Sequence, residues 1–199
     1  MDDPAGHQLV LAQRTRDLQT QFERLLAGRS EFVWEIGCGH GHFLTAYAKE
    51  HPDQLCIGID LSTERIDRAT RKRNRSKLPN LHFIQAEARL FLEALPPGVG
   101  FSDVYVLFPD PWPKLRHRKH RLMQPDFLRA VAAKAGPSAR LFFRTDFEPY
   151  FTSVEHSLGE SAGWGRVEDP WPFVHETVFQ ARADTFHSLC ARPLHRRKD

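Results

Sequence analysis

Three glycines follow an acid in the segment 35–41, which reads EIGCGHG. Gly37, Gly39 and Gly41 allow the backbone to turn tightly and to approach a ligand where a Cβ atom would clash. Asp60 lies 23 residues after Gly37, at a position from which a carboxylate accepts the hydroxyls of a ribose. These residue types at this spacing predict a site for an adenosyl or dinucleotide ligand. A turn that serves only helix–strand packing is the alternative.

Two details favour S-adenosylmethionine as the ligand. The glycines are spaced G-x-G-x-G rather than G-x-G-x-x-G, so the pattern that binds pyrophosphate at a helix N-terminus is incomplete. Glu35 would repel a pyrophosphate but attract a methionine ammonium or a sulfonium. Glu87 follows the third predicted strand, where it would contact an adenine or simply begin a helix. The absence of G-x-x-x-x-G-K-[ST] excludes a P-loop nucleotide triphosphatase.

A second chemical segment, 108–121, reads FPDPWPKLRHRKHR. Its three prolines fix φ, which lowers the entropy lost when Asp110 and Trp112 are held against a substrate. An indole that stacks on a base beside a carboxylate that accepts its N–H groups would form a nucleobase site. A proline-rich turn with a packed tryptophan remains the alternative.

Basic residues are concentrated in two places, although the net charge is only +3. The segment 62–77 holds seven cations and two acids, and the segment 113–121 holds five cations and no acid. Two such segments on an otherwise acidic chain predict a polyanionic partner bound at one face. A solvated helix face and a charged loop are the alternative for either segment taken alone.

The pattern of apolar runs predicts the elements that position these residues. Strands are predicted at 32–36, 55–60, 81–85, 104–108 and 140–145, and helices at 42–50, 63–77, 88–95, 123–134 and 148–158. Strands that alternate with helices are typical of an α/β fold with a mostly parallel sheet covered by helices on both faces. A docked helix is predicted at about 8–27, an antiparallel strand or hairpin at 175–183, and a frayed end at 195–199.

Composition limits the class of protein. The 199 residues, 41% apolar and 27% charged, fit one globular domain over 1–199. No apolar run approaches the roughly 18 residues that cross a bilayer, and the acidic start is unlike a signal peptide. Three cysteines without a C-x-x-C pair predict neither a disulfide framework nor a cysteine zinc site, and a cytoplasmic location is expected. No metal is expected, because no acid or cysteine set completes a coordination shell around the histidines.

The segments EIGCGHGHFL, FPDPWPKLRHRKHRLMQPDFL and RTDFEPYF resemble the bacterial tRNA (guanine-N7-)-methyltransferases, and the resemblance covers about 32–183. It implies a Rossmann-like class I methyltransferase fold and S-adenosylmethionine as cofactor. It also implies tRNA as partner, with methyl transfer to N7 of the guanosine at position 46 of the variable loop. No obligate protein partner is evident, and the chain is expected to be a monomer or a homodimer.

The resemblance also implies roles for individual residues. It assigns cofactor contacts to Glu35, Asp60 and Glu87, a catalytic and cofactor-adjacent role to Asp110, substrate contacts to Lys114 and Asp146, and RNA contacts to Arg116, Arg118, Lys119 and Arg121. The late T-K-F-E motif of the family is here Thr177-Val-Phe-Gln180. Thr177 and Gln180 are therefore predicted substrate contacts, but a neutral amide loses the charge assistance of a carboxylate. A related RNA methyltransferase with a shifted substrate, or an RNA-binding remnant with weak catalysis, are the alternatives.

Overall fold

The computed structural model describes residues 4–159, 162–173, 175 and 183–194. The helices are α1 (Pro4–Leu26), α2 (His42–Glu50), α3 (Thr63–Ser76), α4 (Ala88–Ala94), α5 (Pro125–Ala132) and α6 (Glu148–Ser157), with a 3-10 helix at Leu115–His120. The strands are β1 (Glu31–Ile36), β2 (Cys56–Asp60), β3 (Leu81–Gln85), β4 (Gly100–Leu107), β5 (Ala135–Thr145), β6 (Trp164–Val167) and β7 (His187–Pro193). No helix among these residues is both long and apolar enough to cross a membrane.

The seven strands form one sheet in the order β3-β2-β1-β4-β5-β7-β6. Strands β1 to β5 are parallel, whereas β7 is antiparallel to β5 and β6 is antiparallel to β7. The strand order reverses direction between β1 and β4, and ligands of open parallel sheets bind at such a switch point. The α/β fold class with an antiparallel C-terminal strand is confirmed.

The central strands are buried on both faces, as their continuous apolar runs predict. All five residues of β2 and five of the six in β1 are buried. On one face of the sheet, the indole of Trp34 stacks on the rings of Phe91 and Phe101, with centroid distances of 5.0 and 4.8 Å. On the other face, Tyr105 stacks on Phe142 at 4.8 Å. These aromatic cores on both faces of β1 and β4 hold the switch point rigidly.

The structure differs from the sequence prediction mainly after residue 100. Strand β4 begins four residues before its predicted start, and β5 begins five residues early, so that it follows α5 almost directly. The antiparallel strands are 164–167 and 187–193, and neither was predicted. The predicted antiparallel segment 175–183 lies outside the described residues except at its two ends, which are not in a strand. The predicted frayed end 195–199 also lies outside them.

Candidate functional site

The site residues lie in loops at one edge of the sheet. Because β1 to β5 are parallel, the loops that follow them meet at the same edge. The register aligns Ile36, at the end of β1, with Ile59 of β2 and with Val106 of β4. The structure therefore brings to one edge the glycine turn after β1, Asp60, Glu87, the 109–113 loop and Asp146.

Hydrogen bonds to the end of β2 fix the glycine turn. The backbone N–H groups of Gly37 and Cys38 both donate to the carbonyl of Ile59, each at 2.9 Å. The N–H of Gly39 donates to Oδ2 of Asp60 at 3.0 Å. All three glycines have positive φ, with values of 75°, 53° and 67° along the chain. Such values favour glycine over any residue with a Cβ atom.

The three glycines have two different surroundings. A Cβ atom built on Gly37 or Gly39 would meet no atom within 4 Å, whereas one on Gly41 would overlap the ring of Phe83 and lie 2.9 Å from Cβ of Ala69. Gly41 therefore serves the packing of the turn against α3 and β3. Gly37 and Gly39 instead leave open space at the mouth of the sheet, as a close-fitting ligand requires.

The carboxylate of Asp60 is 6% exposed and already has partners on both oxygens. Oδ1 accepts from the N–H of Ser62 at 2.9 Å, and Oδ2 accepts from Gly39 and lies 3.6 Å from Nη1 of Arg65. Each carboxylate oxygen has two acceptor sites, so lone pairs remain for a further donor. Asp60 can thus position the turn and accept a ligand hydroxyl at once.

Glu35 carries the most unusual electrostatics of the site. Its side chain is 4% exposed, the backbone N–H of Leu44 donates to it, and Oε2 has no hydrogen-bond partner among the described residues. Burial, reinforced by the negative charge of Asp60, raises the pKa of Glu35 to about 8, and the positive charge of Lys72 offsets this in part. A buried carboxylate with one oxygen left unpaired is a group that a cationic ligand would stabilise.

Glu87 occupies the second of the two roles that its position allows, the start of a helix. Its exposed carboxylate accepts from the N–H of Leu90 at 2.9 Å and caps the N-terminus of α4. A capping acid of this kind stabilises a helix by about 1 kcal/mol. The adenine contact of Glu87 stays a prediction.

Arg121 fixes the position of the 109–113 loop and does not point into the solvent. The predicted RNA contact of this residue is therefore corrected. Arg121 was expected to contact RNA, but it is 3% exposed. Its Nε donates to the carbonyl of Pro111 at 2.9 Å and its Nη1 to that of Pro149 at 3.4 Å, while the guanidinium lies 4.8 Å from the ring centre of Tyr150. The carbonyl of Pro111, in the proline-rich loop, is paired by this buried cation, which also ties the loop to the first turn of α6. Nothing in a run of basic residues distinguishes its last member from the others.

The other predicted side chains of this region are accessible. Asp110, Asp146 and Trp112 are exposed, and the exposed cations on and beside the 3-10 helix are Lys114, Arg116, Arg118 and Lys119. The indole of Trp112, 37% exposed, packs edge-on to His117 at 5.8 Å. Thr177 and Gln180 lie outside the described residues. No group of three or more histidines, cysteines and acids in the described ranges could hold a metal ion.

Sequence reasoning missed Arg144, near the end of β5. Its guanidinium lies 4.2 Å from the ring centre of Trp171 and 4.7 Å from that of Phe186, and its Nε donates to Oγ of Ser188 at 2.9 Å. Its carbonyl accepts from the N–H of Phe108, just before the 109–113 loop. Arg144 therefore connects β4, β5 and β7 at the candidate site. The only signal in the sequence is one arginine within the apolar strand LFFRT.

Comparison with known proteins finds similar methyltransferases. A methyltransferase family model, described as "Putative methyltransferase", matches residues 29–182. The tRNA (guanine-N(7)-)-methyltransferases of Geobacter metallireducens and Nitrosomonas europaea are 34% and 33% identical, over 71% and 75% of this chain and 67% and 65% of their own. The chain thus spans about two thirds of the length of these relatives. That of Lacticaseibacillus casei is 29% identical over 96% of this chain and 94% of its own.

Solved structures share the fold at lower identity. The 16S rRNA methyltransferase KamB superposes with a TM-score of 0.62 at 22% identity, over 87% of this chain and 93% of its own. TrmN from Thermus thermophilus superposes with a TM-score of 0.60 at 19% identity, over 88% of this chain and 48% of its own. Together with the strand order and the glycine turn, these neighbours define a Rossmann-like class I methyltransferase fold.

Within that fold class, the sequence relatives define the family more closely. The family model covers most of the chain, and the Geobacter relative exceeds 30% identity. The chain belongs to the bacterial tRNA (guanine-N7-)-methyltransferase family.

Proposed function

We propose that this chain transfers a methyl group from S-adenosylmethionine to N7 of a guanosine in tRNA. The observation that carries the proposal is the buried carboxylate of Glu35, whose Oε2 lacks a partner among the described residues beside an open glycine turn. A cationic amino-acid group fits such an acid, whereas a pyrophosphate would be repelled by it. Membership of the methyltransferase family supports the same cofactor.

Each residue at this edge of the sheet would bind a different part of the cofactor. Glu35 would bind the methionine ammonium, Asp60 the ribose hydroxyls and Glu87 the adenine, while Gly37 and Gly39 admit the cofactor close to the backbone. When bound, the cofactor supplies an electrophilic methyl group on a sulfonium. Asp110 follows the neighbouring strand β4 and would lie beside that methyl group.

Methylation of the proposed acceptor atom requires no proton transfer to the protein. Guanine N7 has an in-plane lone pair, so its attack on a methyl group needs no general base. Positive charge moves onto the purine ring during the reaction, so carboxylates placed near the ring stabilise the transition state. Asp110 and Asp146, exposed at the ends of β4 and β5, would serve this role. Trp112 would stack on the base, and Lys114, Thr177 and Gln180 would complete the substrate contacts.

The exposed cations of the 3-10 helix would bind the phosphates of the RNA. Arg116, Arg118 and Lys119 are exposed and follow directly on the 109–113 loop. Phosphate contacts of this kind supply most of the affinity and fix the position of the RNA, without reading its sequence. The proposal places the reaction in the cytoplasm, as one domain acting as a monomer or a homodimer.

Incubation with methyl-labelled S-adenosylmethionine and an unmodified tRNA transcript tests the proposed function. We expect label in 7-methylguanosine after digestion, and loss of that label when the guanosine at position 46 is replaced by adenosine. The Asp110→Asn variant provides the catalytic control and should lower kcat. No labelled 7-methylguanosine from the wild type would contradict the proposal.

A shifted substrate is the second candidate, because Val178 and Gln180 stand where the family motif has Lys and Glu. Methylation of another RNA or another base, with tRNA inert, would favour it. If tRNA is bound but methylated slowly, Gln180→Glu should raise the rate by restoring a charge-assisted hydrogen bond.

A further inference from the structure

A basic groove lies between the glycine turn and one face of α3. It has a volume of about 470 Å³ and is lined by His40, His42, Arg68, Arg71, Lys72, Asn74 and Arg75. Four of these residues are cations spaced i, i+3, i+4 and i+7, which places them along one stripe of the helix. No acid lines the groove within the described part of the chain. These four cations belong to the first basic segment, 62–77, for which the sequence predicts a polyanionic partner.

Most of this positive charge is uncompensated. Arg68 pairs with Glu64 at 2.7 Å, but among residues 4–159, 162–173, 175 and 183–194 no acid forms an ion pair with Arg71, Lys72 or Arg75. Burial, and after it the neighbouring charge of Arg75, lower the pKa of Lys72, and the charge of Glu35 offsets this in part. The cations of the stripe lie close enough to repel one another. An anion in the groove would relieve this repulsion.

The shape of the groove fits a polymer better than a small anion. Seven residues of an α-helix span about 10 Å, so the stripe from Arg68 to Arg75 is longer than one phosphate group. Arg71, Asn74 and Arg75 are exposed and free to follow a chain of phosphates. Arginine, lysine and asparagine side chains are the usual donors to phosphate and sugar oxygens in nucleic-acid complexes.

The groove adjoins the candidate site. Nζ of Lys72 donates to the carbonyl of His40, in the glycine turn, at 3.0 Å. The charge of Lys72 also acts on the carboxyl of Glu35. In the sheet, β2 and β4 lie on opposite sides of β1, so α3 and the 3-10 helix flank the turn on its two sides. An RNA bound across the mouth of the site would meet both basic surfaces.

We infer that the groove between the glycine turn and α3 binds the sugar–phosphate backbone of the RNA substrate, away from the guanosine that is methylated. This inference rests on the proposed function, because it takes tRNA as the substrate. It gives the enzyme a second RNA contact besides the 3-10 helix.

The test compares two double variants that remove the same charge. Arg71→Gln/Arg75→Gln changes the groove, and Arg29→Gln/Lys49→Gln changes the opposite, amino edge of the sheet, before β1 and at the end of α2. Filter binding of an unmodified tRNA transcript over a range of salt gives the dissociation constant and its salt slope. Loss of two phosphate contacts should reduce the slope by about 1.4–1.8 and weaken binding at 0.1 M salt by about 25- to 60-fold. The control should match the wild type.

Two further readouts distinguish the outcomes. The groove variant should keep the wild-type thermal transition, the affinity for S-adenosylmethionine, and kcat at saturating tRNA. An unchanged tRNA affinity and salt slope would overturn the inference, and so would a loss of cofactor affinity with RNA binding intact, which would assign the groove to the cofactor site. A wild type that binds tRNA without methylating it contradicts only the proposed function, whereas one that binds no tRNA contradicts both.

Discussion

The backbone amide of Gly39 donates a 3.0 Å hydrogen bond to Oδ2 of Asp60, so the acid that ends β2 also fixes the turn that follows β1. The other oxygen, Oδ1, accepts from the N–H of Ser62 at 2.9 Å. One carboxylate thereby sets the spacing of two loops that would bind different parts of the cofactor. The glycine turn and the distal acid, 21 residues apart in this pair, are one structural unit.

Asp60→Asn should separate these two loops. An amide nitrogen cannot accept from either backbone N–H, so one donor is left unpaired, at a cost of about 1–3 kcal/mol in the free energy of unfolding. Affinity for S-adenosylmethionine should fall about tenfold or more in a calorimetric titration. The control is Ser62→Ala, which removes only the side-chain cap of α3 and about 1 kcal/mol, and should leave cofactor affinity unchanged. Equal cofactor affinity in Asp60→Asn and wild type would refute the role of Asp60.

Alanine at Gly39 and at Gly41 should have different effects. Gly39 has open space around it, so Gly39→Ala should cost only the roughly 1–2 kcal/mol of a left-handed backbone, keep the fold and block the cofactor. In Gly41→Ala the new methyl group would overlap Phe83, and the thermal transition should fall well below that of Gly39→Ala. Thermal unfolding and cofactor titration of both variants check this contrast. Normal cofactor binding by Gly39→Ala would show that the open space is not the ligand site.

Glu35 should make the stability of the ligand-free protein fall as pH rises. Its pKa is about 8 in the folded state against an ordinary value of 4.5, so between these values the folded state holds a proton that the unfolded state has lost. The free energy of unfolding therefore decreases through this window, by up to about 1.4 kcal/mol per pH unit, and the contribution is lost above pH 8. Urea unfolding at pH 6 and pH 8 measures this slope. The slope should be shallower in Glu35→Gln, and an identical slope would contradict the assignment.

The same residue should couple cofactor binding to proton release. A bound cation lowers the pKa of Glu35, so affinity for S-adenosylmethionine should increase as pH rises toward 8 and a proton should leave on binding near pH 7. Calorimetry in two buffers with different ionisation enthalpies counts that proton. Glu35→Gln should bind weakly and release none. Proton release that persists in this variant would assign it to another group.

Arg121 and Arg118 should separate loop positioning from RNA contact. Arg121→Gln removes both the charge and the fork that reaches Pro111 and Pro149, and should lower kcat/KM and cost about 1–3 kcal/mol in stability, with the salt slope of tRNA binding unchanged. Arg118 is exposed, so the variant Arg118→Gln should keep the stability of the wild type. It should reduce the salt slope of tRNA binding by about 0.7–0.9. A reduced slope in Arg121→Gln would mean that Arg121 contacts the RNA after all.

Structural elements that depend only on residues close together in the sequence could be predicted. The parallel strands are short apolar runs, and the turn at 37–41 needs its glycines whatever surrounds it. Strand β7 could not be predicted, because HSLCARP shows neither alternation nor an apolar run, and its place beside β5 is decided by long-range pairing. The burial of Arg121 and the groove at α3 likewise depend on which helices pack together, which the local sequence does not encode.

The most direct measurement of the central claim is a crystal structure of the protein with S-adenosylmethionine bound. The methionine ammonium should lie within about 3 Å of the Glu35 carboxylate, with the ribose at Asp60 and the methyl group directed toward Asp110. A cofactor bound away from the glycine turn, or one whose ammonium does not contact Glu35, would contradict it.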